Sequence, residues 1–362
     1  MNNMRFLFYS FLSFFLYSLF LNISFAESFS RATIDHVYEL RNTESPVDGY
    51  QEIQQSVTLT AESGERMTLD HNSKKLLQTG DRVIIRQNLE SEPWYIADYF
   101  RLPQLFLIFL VFVIFGIWIT GWRALLAIGG LLFGIFILTF FVAPAILDGK
   151  DPVVYASIGA VLIAFVSMYL AHGFNPRTHI ALFTTILSIF AAVIISYIFV
   201  WFSRLSGTGT EDAMYLQMGT NAELNLQGIL LAGIIIGTLG VLDDITSTQV
   251  TAISELKKTN SKISFTQLFQ SGMNIGREHV FSMINTLALA YFGAAFPLFL
   301  LLALPYAQEQ SLWISLNSAS ISEEIVRTLA GSLSLMLAVP LSTFIAAWFY
   351  SRYNKRPHPS PA

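Results

Sequence analysis

The sequence predicts an all-α polytopic membrane domain with seven transmembrane helices, preceded by a small extracytoplasmic β domain. Three observations support this fold class. Seven apolar stretches are each about long enough to cross a bilayer, and the loops between them alternate in charge. An apolar leader also precedes residues 27–100, where side chains alternate as in β-strands. The chain is 53% hydrophobic and 13% charged, as expected when lipid is its main solvent.

The N-terminus predicts export of the segment that follows it. Arg5 precedes an apolar run over 6–20, and Ser24-Phe25-Ala26 offers a cleavage site of mostly small residues. Residues 1–26 therefore have the pattern of a signal peptide. An uncleaved signal anchor is the alternative and would make eight helices in total. Either version exports residues 27–100.

The exported segment, 27–100, is predicted to be a short β barrel of OB or SH3 type. Its β-type runs are separated by turn signals at 46–49, 63–64 and 79–81. The runs cover 32–40, 52–61, 66–69 and 82–86. Nothing in it forms a catalytic cluster, so we expect it to bind, plug or position, including by contact with a membrane protein partner.

The seven predicted helices occupy residues 101–351 and leave 352–362 as a tail. They begin near Leu102, Ala124, Val153, Ile180, Leu226, Val280 and Ile325. Basic residues follow the first, third, fifth and seventh helices, whereas acidic residues dominate the loops on the other side. The positive-inside rule then makes the basic side and the C-terminus cytoplasmic.

Charge and cysteine content exclude several functions. The net charge of −4 gives no indication of nucleic acid binding. With no cysteine, the chain has no disulfide framework, no thiol chemistry and no Cys-ligated zinc. No cofactor is predicted, and the sequence leaves a metal site undetermined. The expected partners are the lipid bilayer and an unidentified small solute or ion.

The fifth helix carries the most informative chemistry. At about 100° per residue, one face holds a small-residue stripe followed by polar residues, with Asp243 about 100° away from it. This face comprises Gly233, Gly237, Gly240, Asp244 and Thr248. Small residues let a second helix approach closely, so we expect Asp244 on a packed interface. A carboxylate at membrane depth is by default a functional hypothesis.

The sixth helix offers polar partners for this face. Asn274, Glu278, Ser282 and Asn285 also share one helical face, beyond a loop of about 30 residues that includes an amphipathic helix over 264–273. A polar cluster of Asp244, Thr248, Glu278 and Asn285 is therefore expected between the two helices. The alternatives are purely structural. They are a solvated helix end for the aspartates, an ion pair with Arg277 for Glu278, and interhelical hydrogen bonding for Asn285.

Two motifs together resemble a known family. Residues 240–249 read GVLDDITSTQ, 276–279 read GREH, and 285–293 read NTLALAYFG. This pattern resembles the YibE/F family of bacterial multi-pass membrane proteins, and the resemblance extends to 80–83 and 98–101. It implies a cytoplasmic-membrane location and a shared polar site, and it raises Thr248, Gln249, Glu278 and Asn285 as residues to test. Periodicity alone turns Gln249 away from the glycine face. The resemblance names no substrate.

Three function classes remain open. The first is a permease for a small solute or ion, in which Asp244 and Glu278 bind a cation or change protonation. The second is a scaffold or signalling protein that couples the outer β domain to the cytoplasmic loop 250–275. The third is a metal-dependent enzyme on a lipid-linked substrate, with Asp243 and Asp244 holding a divalent ion. We predict the permease, and an enzyme is the less favoured reading.

Overall fold

The computed structural model describes residues 28–44, 51–73, 76–87, 93–219, 223–303 and 311–352. The chain divides into two compact units, Met1–Gly121 and Trp122–Ala362. The predicted signal peptide, the turn at 46–49 and nearly all of the C-terminal tail lie outside the described residues.

Five antiparallel strands form one sheet in the first unit, in the order β3-β2-β1-β4-β5. The strands are β1 (Ser28–Glu44), β2 (Gln51–Ala61), β3 (Arg66–Ser73), β4 (Arg82–Gln87) and β5 (Tyr95–Tyr99). The first four match the predicted runs. β5 lies outside the predicted runs, because a strand of five residues carries little period-2 signal.

One face of this sheet is buried, as the alternation predicts. Its core includes Ile34, Val57, Leu59, Val83 and Ile85, each at most 1% exposed. The buried Gln55 amide also bonds to the Leu77 backbone, which fixes the segment after β3 against the sheet. A five-stranded antiparallel sheet with one buried face confirms the β domain, whereas the OB or SH3 type stays a prediction.

The first helix, α1 (Leu102–Thr120), directly follows the sheet. Arg101 precedes it, and the Nη1 atom of Arg101 donates a hydrogen bond of 2.6 Å to Asp98 Oδ2. This bond lowers the pKa of Asp98 from its ordinary value. No residue of α1 is buried within the described chain, and its mean hydropathy is 2.6, as for a helix surrounded by lipid.

In the described part of the second unit, every regular element is a helix. Its helices are α2 (Arg123–Ile137), α3 (Ala143–Leu147), α4 (Pro152–His172), α5 (Pro176–Phe202), α6 (Glu211–Gly219), α7 (Leu226–Thr259), α8 (Phe265–Ala294), α9 (Phe296–Leu300), α10 (Leu312–Leu316) and α11 (Ala319–Arg352). A π-helical turn, Leu138–Val142, joins α2 to α3. Side-chain N-caps at Asp151, Asn175 and Asn225 begin α4, α5 and α7.

Six helices of the described chain are long and apolar enough to cross a membrane. A seventh span is obtained only if Phe265–Ala294 and Phe296–Ala303, which meet at a 71° bend, count together. The chain is therefore a multi-pass membrane protein, but the structure supports about six spans rather than a secure seven. Pro297 lies at this bend, where its ring prevents the helix from continuing straight.

The predicted loop of about 30 residues between the fifth and sixth helices is wrong. α7 runs to Thr259 and α8 begins at Phe265, so only 260–264 connect them. Ser264 and Gln267 form a capping box at the start of α8, and the predicted amphipathic helix over 264–273 is the first part of this same helix. Hydropathy detects only the apolar part of a helix, so it missed these polar extensions.

Helices α5, α7 and α11 pack together in the interior of this unit, with α4 and α8 against them. Small side chains line their contacts, including the fully buried Ala330, Ala338 and Ala346 of α11. Large aliphatic side chains of α7, among them Ile234 and Ile245, fill the remaining space. This combination allows close helix approach without the hydrophobic effect that drives packing in water.

Candidate functional site

The polar segment 243–249 of α7 is hydrogen-bonded to four other helices. Four of its side chains hydrogen-bond to other helices, and they reach α4, α5, α8 and α11. These four are Asp243, Thr246, Ser247 and Gln249. Two polar residues of the same segment, Asp244 and Thr248, remain exposed. The segment therefore combines a packing role with an open polar face.

Asp243 lies between α7 and α4. Its Oδ2 atom accepts a hydrogen bond of 3.0 Å from Ser167 Oγ. Its Oδ1 atom is buried and has no hydrogen-bond partner among the described residues. Asp244, which follows it in the chain, places a second carboxyl group nearby. Because a buried carboxylate oxygen without a donor is costly, Asp243 is poorly explained as a packing residue.

Gln249 is buried at the junction of α7, α8 and α11. Its Nε2 atom donates to the carbonyl oxygen of Gly272 at 2.6 Å and to Thr343 Oγ1 at 2.8 Å. The side chain is 1% exposed. The periodicity argument correctly turned Gln249 away from the glycines, but that direction points into the bundle rather than outward. Its observed contacts are structural.

Two further hydrogen bonds extend this network. Thr246 Oγ1 lies 2.6 Å from Thr185 Oγ1 of α5, and both side chains are fully buried. Ser247 Oγ lies 3.1 Å from His172 Nε2 at the end of α4. Each bond fixes the rotation of α7 about its axis, because the donor and acceptor belong to different helices.

The expectation that Asp244 occupies a packed interface is wrong. Asp244 and Thr248 are exposed, while Leu242, Ile245 and Gln249 of the opposite face are buried. The physical reason is competition between two faces of one helix. Large aliphatic side chains gain more contact in the interior than glycines do, so they turn inward and the end of the glycine face at Gly240 and Asp244 turns outward.

The three glycines differ in what they approach. Gly233 faces the Arg327 guanidinium, with 3.1 Å between an added Cβ and Nη1, and Gly237 faces the Tyr291 hydroxyl. Gly240 has open space where a side chain would lie. The glycine face therefore accommodates side chains from α8 and α11 at one end and stays open toward Asp244.

A second polar cluster lies beside Gly233 and Gly237, and sequence reasoning missed it. It consists of Tyr291 on α8 with Glu324 and Arg327 on α11. Arg327 Nε lies 3.4 Å from Glu324 Oε1, and these side chains are only 22% and 16% exposed. The Tyr291 hydroxyl is buried without a hydrogen-bond partner among the described residues. Because α11 begins at Ala319, before its apolar run near Ile325, the pattern of charged loops does not reveal that the two charged residues lie inside a helix.

Glu323 also lies inside α11 rather than in a loop. Its side chain is buried and its Oε1 atom accepts a hydrogen bond of 3.0 Å from the backbone N–H of Gly209. An added Cβ on Gly209 would lie 2.7 Å from the Glu323 carboxyl carbon. Through this hydrogen bond, Glu323 holds the loop between α5 and α6 against the start of α11.

The predicted meeting of the α7 and α8 polar faces is wrong. Gly272 and Gly276 of α8 face α7, with the side chains of Ile253 and Gln249 against them. Glu278 and Asn285 lie roughly 160–200° around α8 from Gly276, and both are exposed. They do not form a cluster with Asp244 and Thr248, because α8 approaches α7 through Gly272 and Gly276, which are on the other face.

The partners of α7 that sequence reasoning missed are hydroxyl residues in apolar spans. Ser167, Thr185 and Thr343 each hydrogen-bond to the segment 243–249. The available signal was a Ser or Thr within a long apolar run, alone at 167 and in a pair at 184–185 and 342–343, which marks interhelical bonding in membranes. In the described part of the chain, no three His, Asp or Glu side chains gather closely enough to hold a metal ion.

Comparison with known proteins gives the family but no individual relative. No curated protein and no solved structure matches this chain. The sequence profile of the family described as YibE/F-like protein matches residues 107–352. That range is more than half of the chain and contains the α7 segment, the α8 motif and every helix after α1. By this match, the chain belongs to the YibE/F family.

Proposed function

We propose that this protein is a permease for a small solute or ion in the bacterial cytoplasmic membrane, with its basic helix ends on the cytoplasmic side. The observation that supports it is the adjacent pair Asp243 and Asp244. One carboxyl group lies between two helices with an unpartnered oxygen, and the next lies on an open face. Ionisable groups in membrane helices are costly and mark ion or solute pathways.

The open face has the chemistry to contact a cation or a proton. Asp244 and Thr248 are one helical turn apart on the same side of α7, so a carboxylate and a hydroxyl oxygen face the same space. Gly240, one turn before Asp244, leaves that space free. Asp243 lies beside this space. Protonation of its Oδ1 atom, or a cation bound there, would supply the partner that this oxygen lacks among the described residues.

The remaining predicted site residues receive other roles in this proposal. Gln249 holds α7, α8 and α11 in register through its two hydrogen bonds. Glu278 and Asn285 lie on the far face of α8 and are not assigned to the pathway. The site is thus Asp243, Asp244 and Thr248.

Purified protein in proteoliposomes tests this proposal. H⁺, Na⁺ and K⁺ are the probes, each supplied as a gradient and followed with an entrapped fluorescent indicator. We expect flux of at least one cation above that of empty liposomes, with loss of it in Asp244→Asn. Asp148→Asn is the matched control, because Asp148 is an exposed aspartate at the end of α3.

Two results would reject the permease assignment. One is flux no higher than in empty liposomes for all three probes, with folded protein present. The other is equal flux in Asp244→Asn and Asp148→Asn, which would remove the proposed site. Abundance and size-exclusion behaviour of each variant establish that a loss of flux is not a loss of folding.

A coupling or scaffold role is the second candidate, and one observation favours it. Residues 250–275 are two packed helical ends rather than a loop, and Phe265 and Phe269 pack edge-on against Phe344 of α11. A fixed hairpin offers a defined docking surface. In this case removal of 27–100, the segment available to a membrane protein partner, would abolish function in cells while Asp244→Asn would not.

A further inference from the structure

The far side of α8 carries a regular repeat that faces away from the rest of its unit. Its members are Asn274, Glu278, Phe281, Asn285 and Ala288, and we name this face the α8 seam. They are spaced 4, 3, 4 and 3 residues apart, so the first and last are two heptads apart. This is the spacing of the contact line in a left-handed helix pair.

The burial pattern shows that no described residue packs over most of the α8 seam. Four of its five side chains are exposed, and Ala288 is partly buried. The opposite face of α8, with Gly272, Gly276 and Leu287, is buried against α7 and α11. α8 therefore has one packed face and one available face.

Asn285 is the residue that makes this face unsuited to lipid. Phe281 and Leu289 lie one turn to either side of it and are 73% and 63% exposed, as side chains in hydrocarbon are. No hydrogen bond joins the Asn285 side chain to another residue that the structure describes. Where α8 serves together with Phe296–Ala303 as a membrane span, a primary amide between such neighbours needs a partner, because hydrocarbon offers it neither donor nor acceptor.

A second copy of this chain meets that need. An amide is both donor and acceptor, so two Asn285 side chains related by a two-fold axis satisfy each other. Copies inserted with the same topology place their α8 helices parallel, which brings each position of the α8 seam opposite its own counterpart. In that pair each Glu278 also faces its own counterpart, and the adjacent Arg277 of each copy lies beside the two carboxylates and offsets their like charge.

The chain's own first helix is a poor alternative occupant. Residues 105–117 of α1 contain no polar side chain, so this stretch has nothing to offer the amide. We therefore infer that the protein forms a parallel two-fold dimer through the α8 seam, with Asn285 at its centre. This inference is independent of the permease proposal, because it concerns association and not flux.

Disulfide cross-linking in native membranes tests the dimer directly. The chain has no cysteine, so in a single-cysteine variant of the full protein any disulfide between copies must involve the introduced thiol. Ala288→Cys places a thiol on the α8 seam. Ala290→Cys is the matched control, since Ala290 is an exposed alanine of the same helix and lies about 160° away from Ala288 around it. Under a mild oxidant we expect a cross-linked dimer for Ala288→Cys and a monomer for Ala290→Cys.

A second variant tests the role of the amide. Asn285→Leu keeps a side chain of similar size and removes the hydrogen bonds. We expect roughly 5- to 30-fold weaker association in detergent or bicelles, measured with two differently labelled copies, as for the loss of a strong interhelical polar contact. Thr286→Leu is the matched control and is expected to leave the dimer intact, because Thr286 is exposed and lies about 100° around the helix from Asn285, away from the α8 seam.

The cross-linking and association results distinguish the dimer from its alternatives. A dimer for Ala288→Cys alone, weakened by Asn285→Leu, supports the inference. Equal cross-linking of both cysteine variants, cross-linking of neither, or monomeric protein in the association assay would overturn it. If Ala288→Cys instead links within one chain to a cysteine introduced into α1, the first helix covers the face and the dimer is rejected.

Discussion

Replacing Gln249 by methionine is the sharpest test of how this bundle is held together. The Gln249 side chain donates one hydrogen bond to α8 and one to α11, at 2.6 and 2.8 Å. Methionine has similar length and no polar group, so it fills the same space without leaving a cavity. Gln249→Met therefore isolates the two hydrogen bonds from the packing around them.

The expected loss of stability follows from those two bonds. Interhelical hydrogen bonds in membrane proteins contribute about 0.6 kcal/mol on average and up to roughly 1.7 kcal/mol each. The Gln249 side chain is only 1% exposed, so water does not replace the two lost bonds. The free energy of unfolding should fall by about 1–3 kcal/mol. For a helical unit of this size, the melting temperature should fall by roughly 2–10 °C.

The measurement is thermal unfolding of purified protein in one detergent, followed by size exclusion or intrinsic fluorescence. Gln270→Met is the control, because Gln270 is an exposed glutamine near the start of α8. It should melt within about 1 °C of the unmodified protein. Equal melting temperatures for the two variants would refute the reasoning, since Gln249 would then not join the three helices in the manner described.

Three more predictions concern packing, the buried aspartate and the β domain. Gly276→Ala places a methyl group against Val339 and Gln249 and should lower the free energy of unfolding by about 1–3 kcal/mol. Gly293→Ala on the same helix is the control, because its methyl group meets open space and should leave stability unchanged or slightly higher. Asp243→Asn should raise the melting temperature and reduce flux, because it removes a poorly solvated charge from the α4–α7 contact. A lower melting temperature would instead show that the carboxylate stabilises the packing of these two helices. Gln55→Leu leaves the Leu77 backbone groups unpaired and should speed limited proteolysis of the full chain near Leu77, unlike Gln78→Leu at an exposed position.

The class of protein and most of its helices could be predicted from the sequence. Long apolar runs are local properties, and a bilayer selects helices from them with little dependence on neighbours. Helix ends were predicted less well. α7 and α8 extend through polar residues to Thr259 and from Phe265, because capping and packing against α11 decide where they end. β5 was missed since a strand of five residues carries little periodic signal.

The sequence by itself determined that Asp243, Asp244, Thr248 and Gln249 lie within about two turns of a membrane helix. That follows from helical geometry and the apolar run before them. Only the tertiary structure decided which of them faces inward. The rotation of a helix is set by all of its contacts together, and here bulky side chains and hydroxyls on α4, α5 and α11 outweigh the glycine stripe. The same cause turns Glu278 away from Asp244, because α8 approaches α7 through Gly272 and Gly276.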